Sequence, residues 1–392
     1  MKSLLSSLGA IALALAAIPT ASAAPRSEIR IGMVSTMTTS AGAGGEATRQ
    51  GIELAVEKLG GRVGGIPVRM FYEDDALQPE LGKQKTEKLI LEDKVDFLVG
   101  YNYSNIVLAA LKPAIDSKTF LLSITGPSQL AGRQCSPYFF AVRDQNGQAP
   151  RAVGQVLNQR GIKTLYTLAP NYAAGKDMIE GVTGTFKGTV VGQDLTKWPS
   201  QLDFAAEIAK IRAAKPEAVF VFLPPQHAIQ FMAQYSRAGL KGVIPIYSTY
   251  TFDGLTLPVI GNDAVGSLMS LIWAVNLDNP VNKEFVAAFQ RKHGKEPSSF
   301  SAHAYDAMLL IDAAVKSVKG ELDDKEKVRA ALKAGTGTTR GPIRFGNNQF
   351  PIQDYHLIEV KAGESATTAS ARRIETIETN VQDVYAQSCP LK

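Results

Sequence analysis

Short apolar runs alternate with amphipathic stretches along most of the chain. Glu28–Val34 (EIRIGMV) alternates and then turns apolar, which predicts a first strand. Glu46–Leu59 sets Ile52, Ala55, Val56 and Leu59 on one helical stripe. Val68–Tyr72 predicts a second strand, which ends in Glu73-Asp74-Asp75, and Pro79–Asp93 predicts a charged amphipathic helix. The segment Val95–Ser128 (VDFLVGYNYSNIVLAALKPAIDSKTFLLSITGPS) then predicts two buried strands, each ending in a polar turn. Val95–Gly100 runs into Tyr101–Asn105, a helix spans Ile106 to Ser117, and Phe120–Ile124 runs into Thr125–Ser128. This βαβαβαβ order is that of a parallel sheet covered by helices. Such sheets gather strand C-termini on one edge, where ligands bind. The two hydroxyl-rich turns on that edge suit a small anion or polar head group, although Ser, Thr and Asn also cap helices.

Ser136–Val142 leads out of this region, and a second series follows with the same grammar. Helices are predicted at Gln148–Arg160, Gly175–Phe186, Phe204–Ala214 and Ile229–Ala238. Strands are predicted at Thr164–Ala169, Thr189–Gly192, Ala218–Leu223, Ile244–Ser248 and Gly266–Ala274. Three further helices are expected at Asn282–His293, Ala302–Val318 and Lys325–Ala334, and the remainder reads as a polar tail. Two βα lobes imply a cleft between them, a common place for a binding pocket.

The first residues change the picture. Met1–Ala23 reads as a secretory signal, with Lys2, an apolar Leu4–Ile18 and the small-residue site Ala21-Ser22-Ala23. Its apolar run is too short for a membrane anchor and is interrupted by Ser6 and Ser7. No Cys precedes the cut, so no lipid anchor is expected. In an oxidising compartment Cys135 and Cys389 favour a disulfide over two buried thiols. His227, His293, His303 and His356 are scattered, so no metal site is expected. Lys and Arg number 42 against 37 Asp and Glu, a mild net charge of +5 that slightly favours an anionic solute. No basic run of nucleic-acid type occurs.

Few motifs carry chemistry. Gly42-Ala43-Gly44-Gly45-Glu46-Ala47 matches G-x-G-x-x-A, but Ser35–Ala41 separates it from the strand, against dinucleotide binding. The loop still offers N–H groups at a helix N-terminus. No G-x-S-x-G and no H-E-x-x-H occurs, so no catalytic residue and no cofactor is assigned. A secreted esterase or amidase stays open as the alternative from another class, because triads are set by geometry. Glu73-Asp74-Asp75 reads as a solvated turn, His227 as a surface histidine and Trp198 as a packing residue in a Lys-Trp-Pro loop. Trp273, ending a predicted strand, is expected to face a ligand.

EIRIGMVSTMT, EATRQGIELAVEKLGG and VRMFYEDD, together with the signal, resemble the type I periplasmic solute-binding proteins of branched-chain amino acid ABC transporters. NLDNPVNKEFVAAFQRKHGKEPSSFSAHAYDAM (Asn276–Met308) and GPSQLAGRQCSPYFF (Gly126–Phe140) resemble the subgroup that binds aromatic acids such as benzoate, hydroxybenzoate and coumarate. Cys135 and Cys389 fit that subgroup too. The resemblance implies a venus-flytrap α/β fold of two Rossmann-like lobes with parallel sheets. We assign residues 27–144 plus 275–334 to the first lobe, and 145–274 plus 335–392 to the second lobe and tail. It also implies a periplasmic, monomeric, non-enzymatic protein that delivers a small aromatic carboxylate, or an amino acid, to permease subunits. The carboxylate would be held at Ser104 and Thr125, with Asn102, Tyr103 and Gly126 beside them. Tyr172 and the loop Tyr250–Asp253 would come from the other lobe. Asp253 stands where amino acid binders carry Glu, which speaks against an amino acid. Tyr101, Tyr103, Tyr172, Tyr250, Phe252 and Trp273 offer faces for a ring.

Overall fold

The structure is a computed structural model that describes residues 26–363 and 368–391. The expected signal segment therefore lies outside the described residues. No helix among the described residues is long and apolar enough to cross a membrane.

The first sheet contains β1 (Ile29–Ser35), β2 (Arg62–Val63), β3 (Ile66–Asp74), β4 (Phe97–Gly100), β5 (Phe120–Ser123) and β6 (Phe139–Ala141), in the order β2-β3-β1-β4-β5-β6. Its strands pair in parallel except for the β2/β3 hairpin. Helices α1 (Gly42–Lys58), α2 (Pro79–Leu91) and α3 (Ser104–Asp116) connect these strands. β4 and β5 are buried at every residue, which is why they read as unbroken apolar runs. β6 is a sixth strand where the sequence suggested only a lead-out. The glycine-rich loop is not a loop to its end, because α1 already starts at Gly42. A Cβ on Gly45 would lie 1.9 Å from the Thr36 carbonyl oxygen, so this glycine allows the first turn to pack against the β1–α1 connection.

Residues 142–147 cross to the second lobe and are buried throughout. There α4 (Gln148–Gln159), β7 (Thr164–Pro170), α5 (Ala173–Thr183), β8 (Thr189–Thr196), α6 (Ala205–Ala214), β9 (Ala218–Val221) and α7 (Pro225–Arg237) follow. The chain continues through β10 (Ile246–Ser248), the short α8 (Leu257–Ile260) and β11 (Leu268–Leu271). Next come α9 (Pro280–His293), α10 (Ser299–Ser317) and α11 (Lys325–Ala334); α10 packs along α1 of the first lobe.

The expectation of parallel sheets needs one correction. The second sheet is mixed, because β12 (Thr336–Thr338), β13 (Gly341–Phe345), β14 (Pro351–Ala362) and β15 (Ala369–Val381) join it antiparallel. What reads as a polar tail is largely this hairpin, whose outer strand β15 is only partly buried. The segment after it returns to the first lobe. Cys389 is bridged there to Cys135, with Cα atoms 5.8 Å apart. Asn348 donates to the Ala131 carbonyl at 2.8 Å and to Asp383 Oδ1 at 3.1 Å, which fixes the same corner.

Candidate functional site

The ends of β4 and β5 carry the two predicted turns, and the fold brings them together. Ser104 Oγ and Thr125 Oγ1 are 3.1 Å apart, and both residues are buried. Asn146, from the crossing segment, locks them. Its Nδ2 donates to Ser104 Oγ at 3.0 Å and to Asp177 Oδ2 at 2.9 Å. Its Oδ1 accepts from Arg143 Nη2 at 2.5 Å and from Gly126 N at 3.4 Å. One lone pair of Ser104 Oγ is engaged by Asn146, and either hydroxyl of the Ser104–Thr125 pair can be the donor to the other. The Thr125 backbone N–H is already used by Ser123 Oγ at 3.1 Å. Gly126 sits where a Cβ would meet the Asp144 carbonyl oxygen at 2.3 Å, so only glycine lets the two backbones approach. Helices α3 and α5 both begin here, and neither has a side-chain cap. Their positive dipole ends add to the preference for an anion.

An aromatic group adjoins this cradle. Tyr172 stacks on Trp198 with ring centroids 5.0 Å apart and 19° between planes. Tyr103 meets Trp198 at 5.5 Å and Tyr172 at 6.4 Å. Trp198 is thus more than loop packing: it joins a residue of the first lobe to one of the second. His227 is not a surface histidine. It is 2% exposed, its ring lies 5.0 Å from Trp198, and burial lowers its pKa.

Other candidates lie elsewhere. The Trp273 indole donates to Asn282 Oδ1 at 2.8 Å and packs on Phe285, apart from the Tyr103 group. It lines a separate small pocket with Phe252, Asp253 and Ile358. The Tyr101 hydroxyl is 2.8 Å from Thr86 Oγ1 of α2, inside the first lobe. Asn102 donates to Thr48 Oγ1 at 3.0 Å and accepts from Ser35 Oγ, which ties β4 to β1 and α1. Asp253 accepts from Ser299 N and Ser299 Oγ at 3.1 and 3.0 Å and from Leu255 N at 3.0 Å. Its carboxylate caps the start of α10, and burial holds its pKa above the usual range. Glu73, Asp74 and Asp75 are each engaged, by Lys85 and Lys88, by Met37 N, and by Leu77 N respectively.

A charged cluster completes the junction. The Arg143 guanidinium lies 4.1 Å over the Tyr250 ring, and Tyr250 donates to Asp144 Oδ1 at 2.7 Å. Arg340 pairs with Asp306 at 3.1 Å and donates to the Val142 carbonyl at 2.9 Å. Burial pushes the carboxyls of Asp144, Asp177 and Asp306 up. Asp177 on α5 also accepts from Ser128 N at 3.1 Å, a direct link between the lobes. Tyr250 itself has a positive φ of 52°, a strained conformation for a non-glycine residue that is frequent at functional sites.

Comparison with known proteins settles the family. A sequence profile described as "Periplasmic binding protein" matches residues 28–365. The chain belongs to this family. Periplasmic binding proteins similar to it include "Leu/Ile/Val-binding protein homolog 6" of Brucella suis biovar 1 (strain 1330), 24% identical over 367 residues, which cover 91% of this chain and 94% of that protein. A solved ABC-transporter solute-binding protein of R. palustris in complex with benzoate superposes with a TM-score of 0.87 at 28% identity, covering 93% of this chain and all of that one. Another, from Rhodopseudomonas palustris BisB5 in complex with 3,4-dihydroxybenzoic acid, gives a TM-score of 0.85 at 26% identity, covering 92% and 99%.

Within this periplasmic binding protein, the hydroxyl turns were the part of the junction visible in the sequence. Arg143, Asp144, Asn146, Asp177, His303 and Arg340 were not. The one available signal was the polar run Arg143–Asn146 just after an apolar stretch, in a segment that sequence reading treats as a lead-out.

Proposed function

We propose that this protein is the solute-capturing component of an ABC uptake system and that its solute is a small aromatic carboxylate. In this reading it is exported to the periplasm, works as a monomer and hands its solute to permease subunits. The observation that carries it is the cradle of Ser104, Thr125 and Asn146 set beside the Tyr103–Tyr172–Trp198 group. A buried carboxylate needs donors, because desolvation is expensive. The cradle and two uncapped helix starts offer them, and the rings offer faces worth about 0.5–1.5 kcal/mol per well-placed contact beyond area burial.

The names of similar proteins point both to branched-chain amino acids and to benzoates. Asp253 supports the aromatic reading. An amino acid held as expected would need the Asp253 carboxylate for its ammonium, and that carboxylate is bonded to the start of α10 beside a separate pocket. A ligand that binds only the folded chain raises its melting temperature with concentration. Benzoate, hydroxybenzoates or cinnamates are expected to raise it, and leucine, isoleucine and valine to leave it unchanged. The reverse ranking would overturn the aromatic reading and make an amino acid the solute. Turnover of aryl esters or amides would contradict a pure binding role.

A further inference from the structure

Two carboxylates of the second lobe reach across the junction to serines of the first, and both do so in the same way. Asp177 of α5 accepts from the Ser128 N–H at 3.1 Å and from the Ser128 hydroxyl. Asp253, in the loop after β10, accepts from the Ser299 N–H at 3.1 Å and from the Ser299 hydroxyl at 3.0 Å. Ser128 follows β5, and Ser299 opens α10, which packs along α1. The two aspartates are 6% and 9% exposed. The two ties lie on opposite faces of the first sheet. Leu130, just after Ser128, packs in one apolar cluster with Ile106 and Val107 of α3. Ala302, just after Ser299, packs in the other with Ile52 of α1.

Local structure does not require either tie. α10 carries its own cap, because Ser298 N donates to Ser301 Oγ at 2.9 Å and Ser298 Oγ accepts from Ser301 N at 3.3 Å. Asp177 lies inside α5, whose backbone bonds form without its side chain. The surroundings of Asp253 press the lobes together as well. A Cβ on Gly254 would lie 2.3 Å from the Glu296 carbonyl oxygen. Glu296 in turn accepts from Ser370 Oγ and Arg372 Nη2 of β15, each at 2.6 Å. One turn along α10, His303 meets the edge of the Tyr250 ring, with centroids 6.2 Å apart.

We propose that Asp177 and Asp253 hold the lobes closed through Ser128 and Ser299, and so set how tightly any solute is retained without touching it. The proposal rests on the solute-capture reading above and not on the identity of the solute. Hydrogen bonds to an ionised acceptor are about twice as strong as neutral ones. Both partners of each tie belong to the chain, so the ties form with or without a solute. A solute retained by the closed form binds with an apparent affinity reduced by the fraction of chain that is closed. Loss of the ties therefore weakens every solute by one common factor and opens the empty protein. Loss of a contact to the ring would change the ratio between solutes. Loss of a contact to the carboxylate would leave the empty protein as it was.

The double variant Ser128→Ala, Ser299→Ala tests this, since it removes both hydroxyls and leaves the aspartates, Ser104, Thr125 and Asn146 in place. In small-angle X-ray scattering the empty variant is expected to have a larger radius of gyration than the empty wild type, and the two should converge when saturated with benzoate. In calorimetry the variant is expected to bind benzoate and 4-hydroxybenzoate at least about ten-fold more weakly, with the ratio between them unchanged. Ser128→Thr, which keeps the hydroxyl, is expected to behave as wild type. Equal radii for the empty proteins would overturn the proposal whatever the affinities do. Unchanged affinities, or an altered ratio between the acids, would overturn it too. Failure of both acids to bind the wild type would remove only the aromatic reading. The comparison of empty proteins needs no solute and would still decide whether the ties close the lobes.

Discussion

The cradle around Ser104 and the cluster around Tyr250 are separated by a single side chain, Asn146, yet they are built from opposite materials. The cradle uses neutral hydroxyls, an amide and helix starts. Such groups cost little to bury while they bond one another. The cluster uses full charges. Arg143 with Asp144 and Arg340 with Asp306 lie at or near zero exposure, where desolvation offsets much of the attraction. The difference teaches that burial of polarity at this junction follows two logics. One region pairs neutral groups with one another, and the other has to hold full charges together.

The strongest way to break the comparison is to remove one partner of the deepest ion pair. Arg340→Ala leaves Asp306 with only the Thr339 N–H and hydroxyl, at 2.8 and 3.0 Å. The expected loss is about 3–5 kcal/mol in urea unfolding, the scale for an uncompensated buried charge. Replacing both partners, as in Arg340→Met with Asp306→Leu, is expected to recover most of it. A single substitution that costs less than about 1 kcal/mol would show that the pair is hydrated and unlike the rest of the cluster.

The cradle should answer differently. Ser104→Ala or Thr125→Ala is expected to cost about 1.5–3 kcal/mol of ligand affinity, as for a hydrogen bond to a charged group. Stability of the empty protein should fall by about 1–3 kcal/mol, less than for the ion pair, since a neutral buried group rather than a charge is left unpaired. Calorimetry and unfolding on the same samples separate the two effects. A double variant that binds its acid as tightly as wild type would remove Ser104 and Thr125 from the site.

A smaller effect is a slope rather than a step. Burial raises the Asp383 pKa from 3.8 to about 7, with Asp144 among the contributors. The folded chain therefore holds this proton more tightly than the unfolded chain does. Between those two values, stability contributed by Asp383 falls as pH rises. Asp383→Asn is expected to flatten that fall, so its advantage over wild type in unfolding free energy should be larger near neutrality than at about pH 4. An equal difference at both ends would place the titration elsewhere.

Sequence and structure agree most where one local rule decides. β4 and β5 were legible because a parallel strand covered on both faces must be apolar at every position. Ser104 and Thr125 were legible because they end those strands. β15 was not, because an outer antiparallel strand carries only a half-buried face, and Ala369–Val381 is crowded with charge. The Tyr250 cluster was invisible for another reason. Arg143 and Asp144, His303, Asp306 and Arg340 come from separate stretches, and no spacing links them before the lobes meet. Trp198 failed likewise: its partners Tyr103 and Tyr172 are chosen by the fold and not by its own neighbours.

The bridge between Cys135 and Cys389 has a consequence for the order of events as the chain is made. The two cysteines are 254 positions apart, and every strand of both sheets precedes the second one. During synthesis from the N-terminus Cys135 must wait as a free thiol while the first sheet, the crossing segment and the second sheet all emerge. The bond can close only after every strand of both sheets has been made. What it holds is the meeting of the last segment with the first lobe, at the corner where that segment returns.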